Sequence, residues 1–186
     1  MGTGILIVNG SPRAQGNTAY LASVAAQALT EAGRASTTVR LAGLSIAPCS
    51  GCDACRSGKA RYCAIDDDMA GLYDKVAACE AILFASPVYW FSYTAQLKAF
   101  VDRLYGLWNW NHDFLKDKKA AAILVYGDDD LYASGGINAV SSFEHMLRFL
   151  GARSVGFAYG TANDPGDAAA NEGLVARTKA LALKLA

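Results

Sequence analysis

Two hydrophobic periods alternate along this chain, and together they predict a string of strands and helices. Ile5-Leu6-Ile7-Val8 is a continuous β-branched and aliphatic run closed by turn residues, the pattern of a fully buried strand. From Thr18 the spacing becomes helical, with Leu21, Val24, Ala25, Ala28 and Leu29 on one face and Gly33 as the stop. Residues 36–41 form a shorter, more polar strand suited to a sheet edge. Beyond a long connection over residues 42–65, Asp66-Asp67-Asp68 is expected to cap a helix running to about Ala78. Its inner face carries Met69, Leu72, Tyr73 and Val76. Ala81-Ile82-Leu83-Phe84-Ala85 is a buried central strand ending at Ser86-Pro87. Leu97, Phe100, Val101, Leu104 and Tyr105 then mark a helix, with Lys98 and Asp102 paired outside it. A fourth strand over 120–126, a helix on Val140, Phe143, Leu147 and Leu150, a fifth strand over 154–159 and a closing helix over 172–185 complete the series.

Five hydrophobic strands separated by helices call for a parallel sheet covered on both faces. Right-handed crossovers then give an α/β fold, a three-layer doubly wound five-stranded parallel sheet. The chain of 186 residues is expected to form one domain spanning 1–186. Ligands of such sheets collect at the carboxyl ends of the strands, near the switch in strand order. The loops there are residues 10–18, 86–94 and 127–136.

Composition narrows the function. Hydrophobic residues make up 53% and charged residues 18%, a balance that builds a packed core and argues against disorder. Seventeen basic and seventeen acidic side chains cancel, which leaves no footprint for nucleic acid or for a membrane surface. No apolar run approaches the roughly 20 residues needed to span a bilayer. The N-terminus lacks the basic-then-apolar pattern of a signal peptide. Gly2 is followed by Leu6 where a myristoylation signal needs Ser or Thr. A cytoplasmic protein is expected, and five cysteines there point to metal or redox chemistry more than to disulfides.

The first loop, Gly10-Ser11-Pro12-Arg13-Ala14-Gln15-Gly16-Asn17-Thr18, feeds a helix N-terminus, where unpaired N–H groups and a partial positive charge stabilise an anion. Ser11, Asn17 and Thr18 add hydroxyl and amide donors, and Arg13 adds a full charge. A nucleoside-triphosphatase loop would place a lysine where Asn17-Thr18 stands, and the Gly-x-Gly-x-x-Gly of dinucleotide folds is missing. A phosphate-bearing mononucleotide fits better; the plainer alternative is a strand-to-helix turn capped by Asn17 or Thr18. In the second loop, Pro87, Val88, Tyr89, Trp90 and Phe91 can lie against a flat ring, while Ser92 and Thr94 can cap the next helix. An aromatic cover over the sheet edge is the alternative. The third loop opens on Gly127, and its Asp128-Asp129-Asp130 run reads as solvated surface.

Taken together, Asn9-Gly10-Ser11-Pro12-Arg13 with Gly16-Asn17-Thr18, Ser86-Pro87-Val88-Tyr89-Trp90, and Leu97-Lys98-Ala99-Phe100-Val101-Asp102-Arg103 resemble the flavodoxin-like NADPH-dependent FMN reductase family over nearly the whole chain. The resemblance implies FMN, with its phosphate on the first loop, its ring beside residues 86–91 and the third loop closing from the other side. It implies hydride transfer from NAD(P)H to the flavin, then reduction of a small-molecule acceptor such as free flavin, a quinone or another aromatic electrophile. It also implies a homodimer or higher homo-oligomer. Lys98 is read as a surface pair with Asp102, and Arg103 as a structural or subunit contact. No side chain is required as an acid or base.

Cys49-Ser50-Gly51-Cys52-Asp53-Ala54-Cys55, with Cys63 seven residues on, is the sharpest local signal. Three thiols at this spacing can wrap one compact soft-metal centre and a fourth can complete it. The motif resembles that of iron–sulfur flavoproteins, which implies a 4Fe-4S cluster on Cys49, Cys52, Cys55 and Cys63 and, in an electron-transfer protein, a ferredoxin-like partner. Arg56, Lys59 and Arg61 would favour thiolates. Free thiols near the flavin edge or a subunit interface, as in flavin reductases with a similar stretch before Asp67-Asp68-Met69, are the main alternative, with zinc or a disulfide behind them. Cys79 reads as a small core residue, and His112 and His145 are isolated. Trp108 and Trp110 suit either a wall over the flavin or a subunit contact.

Overall fold

The structure, a computed structural model, describes residues 4–186, so Gly2 lies outside the described residues. In chain order the first half contains β1 (Ile5–Asn9), α1 (Asn17–Glu31), β2 (Ser36–Arg40), α2 (Ala70–Ala78), β3 (Ala81–Tyr89), β4 (Ser92–Tyr93) and α3 (Ala95–Trp110). The second half contains β5 (Lys119–Tyr126), α4 (Gly136–Phe149), β6 (Arg153–Thr161), α5 (Asp167–Ala170) and α6 (Glu172–Leu185).

The strands lie in the order β2-β1-β3-β5-β6, all parallel, with β4 attached antiparallel to β3. The chain therefore winds one way from β1 to β2 and the other way from β3 onward, and β1 and β3 flank the switch point. Alternate residues of each strand face opposite layers. Leu6, Val8, Ile82, Phe84, Ala122 and Leu124 pack with α2, α3 and α4. Ile5, Ile7, Leu83, Ala85, Ile123 and Val125 pack with α1 and α6. Burial on both faces is why these strands read as unbroken apolar runs. β2 borders only β1, and its partly exposed side chains match its more polar sequence.

Four features differ from the expectation. The third strand in order along the sheet does not end at Ala85; it continues to Tyr89 and turns back through Trp90 and Phe91 into β4, making six strands where five are expected. Proline is tolerated there for a geometric reason. Ala85 directs its carbonyl toward β1, where it accepts from the Gly10 N–H at 2.8 Å, so Pro87, two residues on, faces the same side. The β1 ladder has ended by then, and no partner is deprived of a donor. Second, α1 is preceded by Gly16 with no side-chain cap, so neither Asn17 nor Thr18 caps it. Third, α2 also starts without a side-chain cap, and the aspartates before it serve the preceding connection. Fourth, the short α5 follows β6.

Candidate functional site

At the carboxyl edge of the sheet the first loop folds on itself. The Asn9 Oδ1 accepts from the Ser11 N–H at 2.9 Å, and the buried Ser11 hydroxyl accepts from the Arg13 N–H at 3.2 Å. Thr18 is buried and Arg13 is exposed. With no side-chain cap and no acidic residue in its first turn, α1 points free N–H groups into the space above this loop.

A polar cleft opens there, lined by Ser11, Arg13, Gly16, Asn17, Thr18, Pro87, Val88, Tyr89, Val125, Tyr126, Gly127, Ala162 and Asn163. All three loops named from the sequence thus contribute, and of the eleven cofactor-binding residues expected only Trp90 and Phe91 fall outside the lining. The cleft encloses about 120 Å³, a space for a phosphate and sugar more than for a three-ring system.

Buried Thr94 couples the first two loops. Its hydroxyl donates to the Gly10 carbonyl at 2.7 Å and accepts from the Leu97 N–H at 3.3 Å, capping α3. Its own N–H donates to the Ser86 hydroxyl at 3.1 Å. Gly10 is needed for this approach, since a Cβ there would stand 2.7 Å from the Leu97 Cβ. Ser92, expected to share the capping, is instead paired with Tyr89 in the hairpin.

The side chain of Asn17 is not free to meet a ligand. Its Nδ2 donates to the carbonyls of Ala162 and Asp164 at 3.1 and 2.8 Å, and its Oδ1 accepts from the N–H groups of Gly166 and Ala168. It pins the loop after β6, and that loop brings Ala162 and Asn163 to the cleft. Sequence reasoning missed this fourth loop, although Asn163-Asp164-Pro165-Gly166 directly after a strand is a strong turn signal.

Trp90 and Phe91 form the tip of the β3–β4 hairpin, with φ of 49° and 67°. Positive φ at both central residues is the tight-hairpin geometry that Asn and Gly usually supply, and aromatic residues hold it under strain. Trp90 is 92% exposed. Phe91 covers Gly135, where a Cβ would stand 2.4 Å from the Phe91 ring, and its carbonyl accepts from Asn138 at 3.2 Å. The tip therefore bridges the second and third loops at the rim of the cleft. Asp130, in the third loop, turns its carboxylate onto the N–H groups of Tyr132 and Ala133, consistent with a surface role for the aspartate run.

The cysteine loop is held at its neck. Arg103, buried in α3, donates through Nη1 to the Ala47 carbonyl and to Asp67 at 2.9 and 2.7 Å, and through Nη2 to the Ile65 carbonyl and to Asp67 at 3.3 and 3.1 Å. Asp67 and Asp68 also accept from the N–H groups of Ala47 and Ser45. Desolvation alone would raise the Asp67 carboxyl, but the Arg103 guanidinium and the Ala47 and Met69 N–H groups outweigh it and hold the group below its ordinary value. Gly106 is essential to the crossing, since a Cβ there would stand 2.2 Å from the Tyr62 carbonyl oxygen. Cys49 and Cys52 are exposed, and Cys55 and Cys63 are half-buried. Cys52 is lowered by the Ala54 backbone and the Ser50 hydroxyl, and Cys55 is raised by burial. Of the basic side chains expected to help, Arg61 instead lies over the Tyr62 and Trp110 rings and beside Asp74. Tyr73 is pushed up to about 12 by burial, and its hydroxyl faces Arg103 and Cys63. Cys79 is core, as expected, and its thiol is pushed up to about 11 by burial.

Trp108 and Trp110 do not wall the cleft of their own chain. They sit at the far end of α3, whose 16 residues carry them about 20 Å from its start beside the second loop. Trp108 packs with Tyr105, His112 and Phe149. His145 is exposed.

Comparison with known proteins agrees with this geometry. Residues 3–165 match the model of the NADPH-dependent FMN reductase family. An iron–sulfur flavoprotein of Methanosarcina thermophila is 36% identical over 139 residues, covering 75% of this chain and 71% of the relative. A Bacillus subtilis (strain 168) protein, provisionally named an NAD(P)H-dependent FMN-containing oxidoreductase, is 29% identical over 174 residues, 88% of this chain and 87% of the relative. The NAD(P)H:quinone oxidoreductase of Methanothermobacter marburgensis shares the fold with a TM-score of 0.77 at 18% identity, covering 97% of this chain and 94% of the other. With its switch-point cleft and a family match across most of its length, the chain belongs to the NADPH-dependent FMN reductase family of flavin oxidoreductases.

Proposed function

We propose that the chain binds FMN in the switch-point cleft as a single domain, draws electrons from NAD(P)H and delivers them to a small-molecule acceptor such as free flavin, a quinone or another aromatic electrophile. The observation that carries this reading is the uncapped N-terminus of α1 opening onto a cleft built from both sides of the β1/β3 switch. Gly16 leaves the backbone bare at that point, where a Cβ would stand 3.0 Å from the Arg13 Cβ.

Arg13 and the first-turn N–H groups would bind the phosphate, with Asn17 contributing through its backbone. Ser11 and Thr18 shape the seat. Pro87, Val88 and Tyr89 would run along the edge of the ring, and Gly127 would let the third loop approach it. Trp90 and Phe91 would shield the ring's margin from water. FMN, when bound, supplies the hydride and electron transfer, and no side chain is assigned as acid or base.

The test is direct. Protein loaded with FMN is titrated without oxygen, first with NADPH and then with NADH, while the visible flavin bands are followed. Bleaching by either nucleotide is the expected result. Protein that stays colourless and has no affinity for added FMN overturns the reading.

The cysteine loop favours an additional reading, in which Cys49, Cys52, Cys55 and Cys63 bind a 4Fe-4S cluster and a ferredoxin-like partner exchanges electrons with it. Among the described residues no three such side chains converge on a single metal ion. A four-iron cube holds its thiolates farther apart than one ion does. The Tyr73 hydroxyl is buried without a partner beside Cys63, with the unpartnered Arg103 Nε in the same buried cluster, and this suits a sulfur that carries negative charge. The cluster, when bound, supplies one-electron transfer. Iron and sulfide analysis of protein purified without oxygen decides the matter.

A homodimer fits the exposed aromatic side chains of Tyr105, Trp110 and Phe149, which sedimentation would reveal as self-association. No helix among the described residues is long and apolar enough to cross a membrane, and a cytoplasmic setting suits the free thiols.

A further inference from the structure

Two buried donors without acceptors lie next to each other at the foot of the cysteine loop. Tyr73, on α2, is 2% exposed, and its hydroxyl has no hydrogen-bond partner. Arg103, on α3, spends Nη1 and Nη2 on Asp67, Ala47 and Ile65, and only its Nε is left without one. The Tyr73 hydroxyl lies beside both the Arg103 guanidinium and the Cys63 thiol, and Cys63 packs on the core cluster that contains Tyr73. A neutral thiol is a weak acceptor, whereas a thiolate or an iron-bound sulfur is a strong one.

Both side chains are fixed in place by their surroundings. The Tyr73 ring packs against Tyr62, with centroids 4.8 Å apart, inside the larger core cluster. Arg103 is held by its bidentate grip on Asp67. The other three cysteines of the motif are placed differently: Cys49 and Cys52 are exposed, and Cys55 is not among the residues packed on the core.

We propose that Tyr73, backed by Arg103, is a positioning residue that donates a hydrogen bond to the Cys63 sulfur once that sulfur is a cluster ligand. Cys63 is then the anchored corner of the site, and the contact raises the reduction potential because it stabilises the more negative reduced cluster. The proposal rests on the 4Fe-4S reading above.

The experiment uses the full chain reconstituted without oxygen with iron and sulfide, as wild type, Tyr73→Phe and Tyr62→Phe. Tyr62 is the matched control, since its hydroxyl donates to Asp74 at 2.7 Å. Iron content, the cluster's reduction potential and the melting temperature with and without iron are measured. Tyr73→Phe is expected to shift the potential negative and Tyr62→Phe to leave it in place. Without iron, Tyr73→Phe should melt at or above the wild type, because an unpartnered buried hydroxyl has been removed; with iron it should melt below. Loss of iron from a Tyr73→Phe protein whose metal-free form melts normally also supports the contact. An unchanged potential, or the same melting shift with and without iron, overturns it and leaves the cluster reading intact. A wild type that takes up no iron and sulfide overturns both, and it does so before any variant is compared.

Discussion

Arg103 grips Asp67 through both terminal guanidinium nitrogens, at 2.7 and 3.1 Å, and with the same two nitrogens holds the carbonyls of Ala47 and Ile65. These two carbonyls stand on either side of the Cys49–Cys63 segment in sequence. One ion pair thus closes the neck of a loop that has little regular structure of its own. Removing one partner of such a buried pair leaves an uncompensated charge, so Arg103→Ala is expected to cost about 3–5 kcal/mol. Urea unfolding measures it.

The same pair sets an acid limit. Asp67 is held below its ordinary value of 3.8, so its contribution is complete above that value and is lost as pH falls through the lower folded one. Asp67→Asn is expected to be less stable at neutral pH and to show a flatter acid limb. Melting temperatures recorded from pH 7 down to about pH 3 check both expectations.

Gly106 carries a second demand of the loop. Alanine is intrinsically better than glycine inside a helix by about 1 kcal/mol. Gly106→Ala should nevertheless destabilise, since its Cβ would press on the Tyr62 carbonyl from 2.2 Å and backbone must move. The expected signature is faster alkylation of half-buried Cys63, read by mass spectrometry after a timed iodoacetamide pulse.

Thr94→Val removes the hydroxyl that ties Gly10 to the start of α3, together with the helix cap. A loss of about 1–3 kcal/mol is expected, with weaker FMN binding, because the first and second loops become uncoupled. Thr94→Ser should restore both. Fluorescence titration with FMN, beside urea unfolding, tests the pair of effects.

Trp90→Gly should act in the opposite sense on stability. Glycine adopts a φ of 49° without strain, so the variant is expected to gain about 1 kcal/mol while NAD(P)H turnover falls as the rim of the cleft is lost. A variant that loses stability and keeps full turnover would remove any functional reason for the strained tip.

Much of this molecule is legible along the chain because its signals are local. Unbroken apolar runs such as Ile82-Leu83-Phe84, closed by turn residues, read as strands buried on both faces, and the small-residue loop after β1 announces a helix N-terminus. The capping of α3 by Thr94 follows from position alone. The triple aspartate misled because its sequence is that of a cap, while its carboxylates are drawn away by the Ser45 and Ala47 N–H groups and by an arginine 36 residues later. Asn17 misled in a similar way, since partners about 145 residues away claim its amide.

Periodicity and loop chemistry by themselves determined the layers, the parallel sheet and which strand ends would frame the cleft, since burial and backbone hydrogen bonding act over neighbouring residues. Only the tertiary structure decided that Asn163 joins the cleft, that Trp90 and Phe91 stand at its rim, that Gly106 admits the cysteine loop, and that Tyr73 and Arg103 are each left with a buried donor unpartnered. Those outcomes depend on which distant groups share one place after folding, and a one-dimensional pattern holds no measure of such distances.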